Sequence, residues 1–174
     1  TSSAASDVYK RQIYKEFMAY KFFEELSDIH LKTQAVSLKI IELKNGKEIE
    51  HNMFAFLVED DDKVADRHAI KKYPSRRMSP LAVKDSSAIN FTLFSYMIGN
   101  TDWSLAYQHN TEMFFDGKRM IAVPYDFDHS GLVNAFYAKP NPMLKISSVT
   151  ERVYRGLCKR CLLYTSPSPR DISR

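Results

Sequence analysis

The chain has 174 residues, 25 of them Lys or Arg and 21 Asp or Glu, for a formal charge of +4. That length buries the core of one domain, and no apolar run is long enough to span a bilayer, so a transmembrane class is not expected for this stretch. A basic excess points toward nucleic acid only if it belongs to the folded part.

Much of it belongs to the two ends. Asp7 to Gln12 can be written in codons as GAT GTG TAT AAG AGA CAG. The reverse complement of that DNA, read one base over, encodes Cys161 to Thr165 and begins Ser166. Two ends of a natural protein have no reason to be complementary strands of one oligonucleotide. Residues 1–12 and 161–174 therefore read as translated sequencing adapter, and both are expected to be disordered. Removing Lys10, Arg11, Arg170 and Arg174 with Asp7 and Asp171 leaves 21 basic and 19 acidic residues and lowers the charge to +2. Nucleic acid is then not an expected partner. Cys158 becomes the one remaining thiol, so no internal disulfide is expected.

Residues 13–160 carry the structural signals. "IYKEFMAYKFFEELSD" (13–28) repeats apolar residues at helical spacing, through Ile13, Phe17, Tyr20 and Phe23. "AVSLKIIEL" (35–43) alternates, with Val36, Leu38 and Ile40 on one face, and predicts a strand. Asn45-Gly46 follows, a strong hairpin signal because both turn positions want positive φ, and "MFAFLV" (53–58) is the return strand. "EDDDKVADRHAIKKY" (59–73) predicts a short helix from its acidic start, and "PSRRMSP" (74–80) a loop. "DSSAINFTLFSYMIG" (85–99) opens on Asp85 as a capping residue, closes on Gly99, and is apolar on almost every side, which predicts a buried helix. "TEMFF" (111–115) and "MIAVP" (120–124) flank Asp116-Gly117 as a second hairpin. "SVTERVYRGLC" (148–158) predicts a further helix. The fold class is α+β.

Chemistry concentrates in two places. "GNTDWSLAYQHN" (99–110) crowds Asn100, Asp102, His109 and Asn110 at the exit of an apolar helix. The second hairpin is short, so its far end returns near its start and should bring Asp126 and Asp128 of "VPYDFDHSG" close to Asp102 and Asn110. A carboxylate and an amide oxygen can hold magnesium while another carboxylate orients a hydroxyl, which is the equipment of phosphoryl transfer. The five histidines show no metal-type spacing.

Buried helix, Asp-containing loop ending in Asn, β-hairpin and Asp-Phe-X follow one another in the order of the protein-kinase-like fold. Within it, "GNTDWSLAYQHN" with "VPYDFDHSG" resembles the spore-coat-H (CotH) kinase family and its bacterial relatives, and "GNTD" is also similar to the HipA-like kinases. The resemblance implies a partial kinase-like domain, with 13–58 in the N-lobe and 59–160 in the C-lobe. It implies Asp102 as the catalytic-loop aspartate that orients or deprotonates an acceptor hydroxyl. Asn110, Asp126 and Asp128 become the Mg2+ residues, with Asn100 a competitor for the amide role. Glu16 (Glu24 and Glu25 being equally available) and Glu59, at the end of the strand pair leading to the hinge, become the ATP-side residues. Asp102 and Asn110 have seven residues between them, more than the protein-kinase loop allows. No glycine-rich loop or phosphate-binding lysine strand is present in 13–160, so this fragment is expected to be inactive. The family also implies an acceptor that is a protein or small molecule, and a cell-envelope or secreted location. Two other readings stay open: a haloacid-dehalogenase-type phosphohydrolase using Asp126-Phe127-Asp128, and a non-catalytic kinase-like binding module.

Overall fold

The computed structural model describes residues 2–74 and 77–156. It is mixed α+β, with three helices and two small antiparallel sheets. Helix α1 spans Ser2–Leu26, strands β1 and β2 span Thr33–Lys44 and Lys47–Val58, and helix α2 spans Asp61–His68. Strand β3 is Lys71–Lys72, helix α3 Asp85–Ile98, β4 Thr111–Phe115 and β5 Met120–Pro124. Among the described residues no helix is long and apolar enough to cross a membrane.

Both hairpins form where their turn residues require. β1 pairs with β2 from Thr33↔Val58 to Lys44↔Lys47, and Asn45 and Gly46 take φ of 53° and 75°. The Asp116 carboxylate closes the other turn by accepting from the backbone of Lys118 (2.9 Å) and Arg119 (2.8 Å). β4 and β5 then divide the core by strand alternation. Phe114, Ile121 and Val123 join Tyr20 and Phe23 of α1, Val64 of α2, Phe94 of α3 and Phe127 in one cluster. Met113, Met120 and Ala122 face the opposite way and pack with Phe91, Trp103 and Leu105. The first turn of α3 is docked on β5, because the Ser87 hydroxyl both accepts from Ala122 N–H (2.9 Å) and donates to its carbonyl (3.2 Å).

Several expectations are corrected. Ser2–Gln12, expected to be disordered, continues α1: extending a helix already anchored by Ala19, Tyr20 and Phe23 adds a hydrogen bond per residue without a new nucleus. Tyr9 reaches Phe136 edge-on, at 5.5 Å between centroids. The tail 161–174 lies outside the described residues. The helix expected over 59–73 ends at His68, because Ala69 turns left-handed (φ 50°) and hands Lys71 and Lys72 to β4 as an edge strand. Lys84, not Asp85, occupies the N-cap of α3, without a capping side chain. That helix is buried on one side only, since Leu93, Tyr96 and Met97 are exposed. β1 likewise lacks its expected inner face: α1 covers Phe54 and Phe56 of β2, while Leu38, Ile40, Ile41, Leu43 and Ile49 project into solvent beyond it. No helix forms in 148–156, and residues 157 and 158 lie outside the described residues.

Gly131 lies where the chain leaving the Asp pair crosses the C-terminal segment. A Cβ there would sit 2.5 Å from the Val149 carbonyl oxygen and 3.0 Å from Thr150 Cα, both backbone atoms. Gly131→Ala should therefore destabilise the protein by roughly 1–3 kcal/mol, read as a lower urea midpoint with an unchanged m-value.

Candidate functional site

The site begins at the end of α3. Gly99 turns left-handed (φ 67°) and closes the helix on the carbonyls of Ser95 and Tyr96. Asn100, 1% exposed, then builds the next turn. Its Oδ1 accepts from Asp102 N–H at 2.9 Å, and its carbonyl accepts from Trp103 Nε1 at 3.1 Å. The Asn100 side chain is thus a buried turn-former.

The long spacing between Asp102 and Asn110 is absorbed by a loop that doubles back. Ser104 and His109 exchange two backbone hydrogen bonds (3.0 and 3.1 Å), and Gln108 and Asn110 take positive φ. Asn110 Nδ2 thereby returns to donate to the Asp102 carbonyl (2.9 Å) and Oδ2 (3.2 Å). The imidazole of His109 meets Asp102 Oδ1 at 3.0 Å. Both Asp102 oxygens are thus oriented from within the loop.

The hairpin brings the Asp pair back beside this loop, with Tyr125 N–H donating to the Asn110 carbonyl at 3.2 Å. Asp126 sits in the left-handed region (φ 58°), and its N–H donates to the hydroxyl of Tyr20 at 3.0 Å. Phe127 is fully buried, its ring 4.8 Å from Tyr20 and 5.6 Å from Phe94. Burying that ring leaves the carboxyl groups on either side close enough to hydrogen-bond one another. Asp128 also accepts from the Tyr137 hydroxyl at 2.9 Å.

Glu16 completes an acidic corner, accepting from the N–H of Phe127. Burial, reinforced by the charges of Asp126 and Asp128, pushes its carboxyl up to about 7. Burial raises Asp126 as well, followed by the Asp128 charge and hydrogen bond and then by the Asp102 charge, against a small opposing pull from His129. Glu24 is engaged by Lys21 at 2.8 Å, so Glu16 is the helix glutamate that reaches the Asp pair.

Glu16, Tyr20, Val58, Glu59, Tyr125 and Asp126 line a cleft of about 410 Å³ between α1, the end of β2 and the end of β5. A larger groove, about 690 Å³, is lined by Lys72, Tyr73, Tyr107 and His109, and it shares Glu112 and Tyr125 with the cleft. The cleft therefore abuts the Asp pair, and the groove abuts the Asp102 loop.

One expectation needs correction here. Glu59 reaches the cleft, but its carboxylate is committed to the fold through Arg67 (2.8 and 3.3 Å) and Lys32 N–H (3.0 Å). Although burial works against it, those donors hold Glu59 below the usual carboxylate range. Among the described residues, the one set of three acidic or histidine side chains with ligand atoms within 4.8 Å of one another is Asp60, Asp61 and Asp62. Those are helix-start acids, Asp60 capping α2 and Asp61 paired with Lys72. The site is a close Asp126–Asp128 pair with Glu16 on one side and Asp102 at longer range on the other. Tyr20 was invisible as a site residue in sequence, since it lies 106 positions from its partner and reads as one more core aromatic.

Scans of the chain against family models, curated proteins and solved structures return no match.

Two measurements check this electrostatic picture. Because the folded Glu16 sits near 7 and its unfolded value is 4.5, the native state holds a proton that the unfolded chain releases between those values. The resulting stability is fully present below pH 4.5 and is lost as pH rises through 7. Glu16→Gln should therefore flatten the fall in stability across that window by roughly 1–2 kcal/mol, a figure discounted for partial exposure, in urea titrations at pH 5 and pH 8. Tyr20→Phe keeps the ring and removes the acceptor for Asp126 N–H, and should lower stability by about 1–2 kcal/mol in the same assay.

Proposed function

We propose that this chain is part of an atypical kinase-like phosphotransferase, similar to the CotH family, that uses Mg-ATP to modify a hydroxyl-bearing acceptor. The observation that carries the reading is Asp126 lining a cleft with Asp128 beside it, and the Asp102–Asn110 loop one hydrogen bond away across Tyr125 N–H. Hard carboxylate oxygens that repel one another suit a small divalent cation, which neutralises them and a nucleotide's phosphates together. Asp126 and Asp128 would hold that ion. Glu16, pushed up to about 7 beside the bare pair, would ionise more readily as positive charge arrives beside it.

On this reading Asp102 orients the acceptor hydroxyl and takes up its proton. Its two oxygens are steered by His109 and Asn110, so the carboxylate is held ready rather than searching rotamers. Asn110 acts here as an orienting group for Asp102, with its amide nitrogen already committed. The acceptor would approach along the groove bounded by His109 and Tyr107, and the nucleotide from the opposite side of Tyr125 and Glu112.

The haloacid-dehalogenase alternative asks for a nucleophilic Asp at the end of a parallel strand. Here the strand before Asp126 pairs antiparallel to β4, which favours the kinase-like reading.

The test is calorimetric titration of the chain with Mg-ATP. Binding is expected, and Asp126→Asn should weaken it at least tenfold, or about 1.4 kcal/mol. Equal binding by the variant removes the metal assignment. A phosphoryl group trapped on Asp126 would favour the hydrolase, and metal-dependent binding with no transfer by the full-length gene product would favour the binding module.

A further inference from the structure

The segment 147–156 straps the exit of α3. Val149 is buried, with its carbonyl against Gly99 and Gly131. Arg152 Nε donates to the Met97 carbonyl, one of the last of α3, at 2.9 Å. Arg155, half-buried, goes further. Its Nη1 donates to the carbonyls of Thr101 and, at 2.9 Å, of Trp103, and its guanidinium lies 5.0 Å from the centre of the Trp103 ring. One cation therefore holds the backbone on both sides of Asp102.

We propose that Arg155 is a positioning residue for Asp102. This rests on reading Asp102 as the acceptor-side aspartate. His109 and Asn110 steer the Asp102 side chain from within the loop, while Arg155 holds the loop's backbone from the 147–156 strap. Hydrogen bonds from a charged donor are about twice as strong as neutral ones, and the stacked indole fixes the plane of the guanidinium. Without them the carbonyls of Thr101 and Trp103 are free to turn toward water, and Asp102 turns with them. The Arg155 Nη1 is committed to these two carbonyls.

Trp103 is the chain's one tryptophan, so its emission reports on this loop directly. Arg155→Met should shift that emission to the red and speed amide exchange at 101–103 about tenfold or more. Arg155→Lys should recover part of both effects. Arg152→Met, altered on the same strap but away from the loop, should leave the emission in place. Mg-ATP affinity should stay within about twofold in Arg155→Met, because the Asp126–Asp128 pair is untouched. Unchanged emission and exchange in Arg155→Met overturn the proposal, as does an equal emission shift in Arg152→Met or a matching loss of Mg-ATP affinity. If Arg155→Met does not fold, Arg155→Lys decides: a rise of about threefold in exchange at 101–103 is expected, and no change overturns the proposal. Emission and exchange need no nucleotide, so a wild-type chain that fails to bind Mg-ATP removes the proposed function while these readings still decide the role of Arg155.

Discussion

Phe127 is the pin of this structure. Its ring is wholly buried against Tyr20 of α1 and Phe94 of α3, a burial of about 2–3 kcal/mol. Neighbours on either side cannot follow it inward, so Asp126 and Asp128 are held toward one another. Carboxylates brought together in this way repel one another. Burial, with the Asp128 charge beside it, raises Asp126, and burial with the charges of both aspartates pushes Glu16 up to about 7. Helix, hairpin and acidic corner are thus coupled through one aromatic side chain.

The same pin ties α1 to the chemistry. Tyr20 packs on Phe127 with its ring and accepts from Asp126 N–H with its hydroxyl. Asp126 is a non-glycine residue in the left-handed region, a conformation that persists only where surroundings enforce it. The enforcing groups are the Tyr20 hydroxyl, the buried Phe127 ring and the pairing of Tyr125 with Asn110.

Much of this was legible in the sequence, for reasons that differ by element. Asn45-Gly46 and Asp116-Gly117 announced both hairpins because positive φ and side-chain capping are local demands. The proximity of Asp102, Asn110 and Asp126 was legible because a short antiparallel return must end near its start. Tertiary context decided the rest. α2 stopped at His68 because β4 offered Lys71 and Lys72 an edge. α3 left Leu93, Tyr96 and Met97 outside because the sheet covers only one of its faces. The 148–156 segment carries helical spacing, yet its arginines found the carbonyls at the exit of α3 instead. Glu59 looked available and was claimed by Arg67, a partner that nothing in local pattern singles out.

The β1–β2 ribbon has a practical corollary. Its outer half is a two-stranded sheet with Ile40, Ile41, Leu43 and Ile49 exposed and, among the described residues, both long edges unpaired. Such edges are templates for strand addition between molecules. Lys39, Glu42, Lys44, Lys47, Glu48 and Glu50 stand among those apolar residues as gatekeepers, with Lys39 and Glu50 paired at 2.7 Å. Poor solubility at high concentration is the corresponding liability, and it resides in the ribbon rather than in the acidic corner. Charged replacements at Ile41 and Leu43 are the economical remedy, because neither side chain contributes to the core.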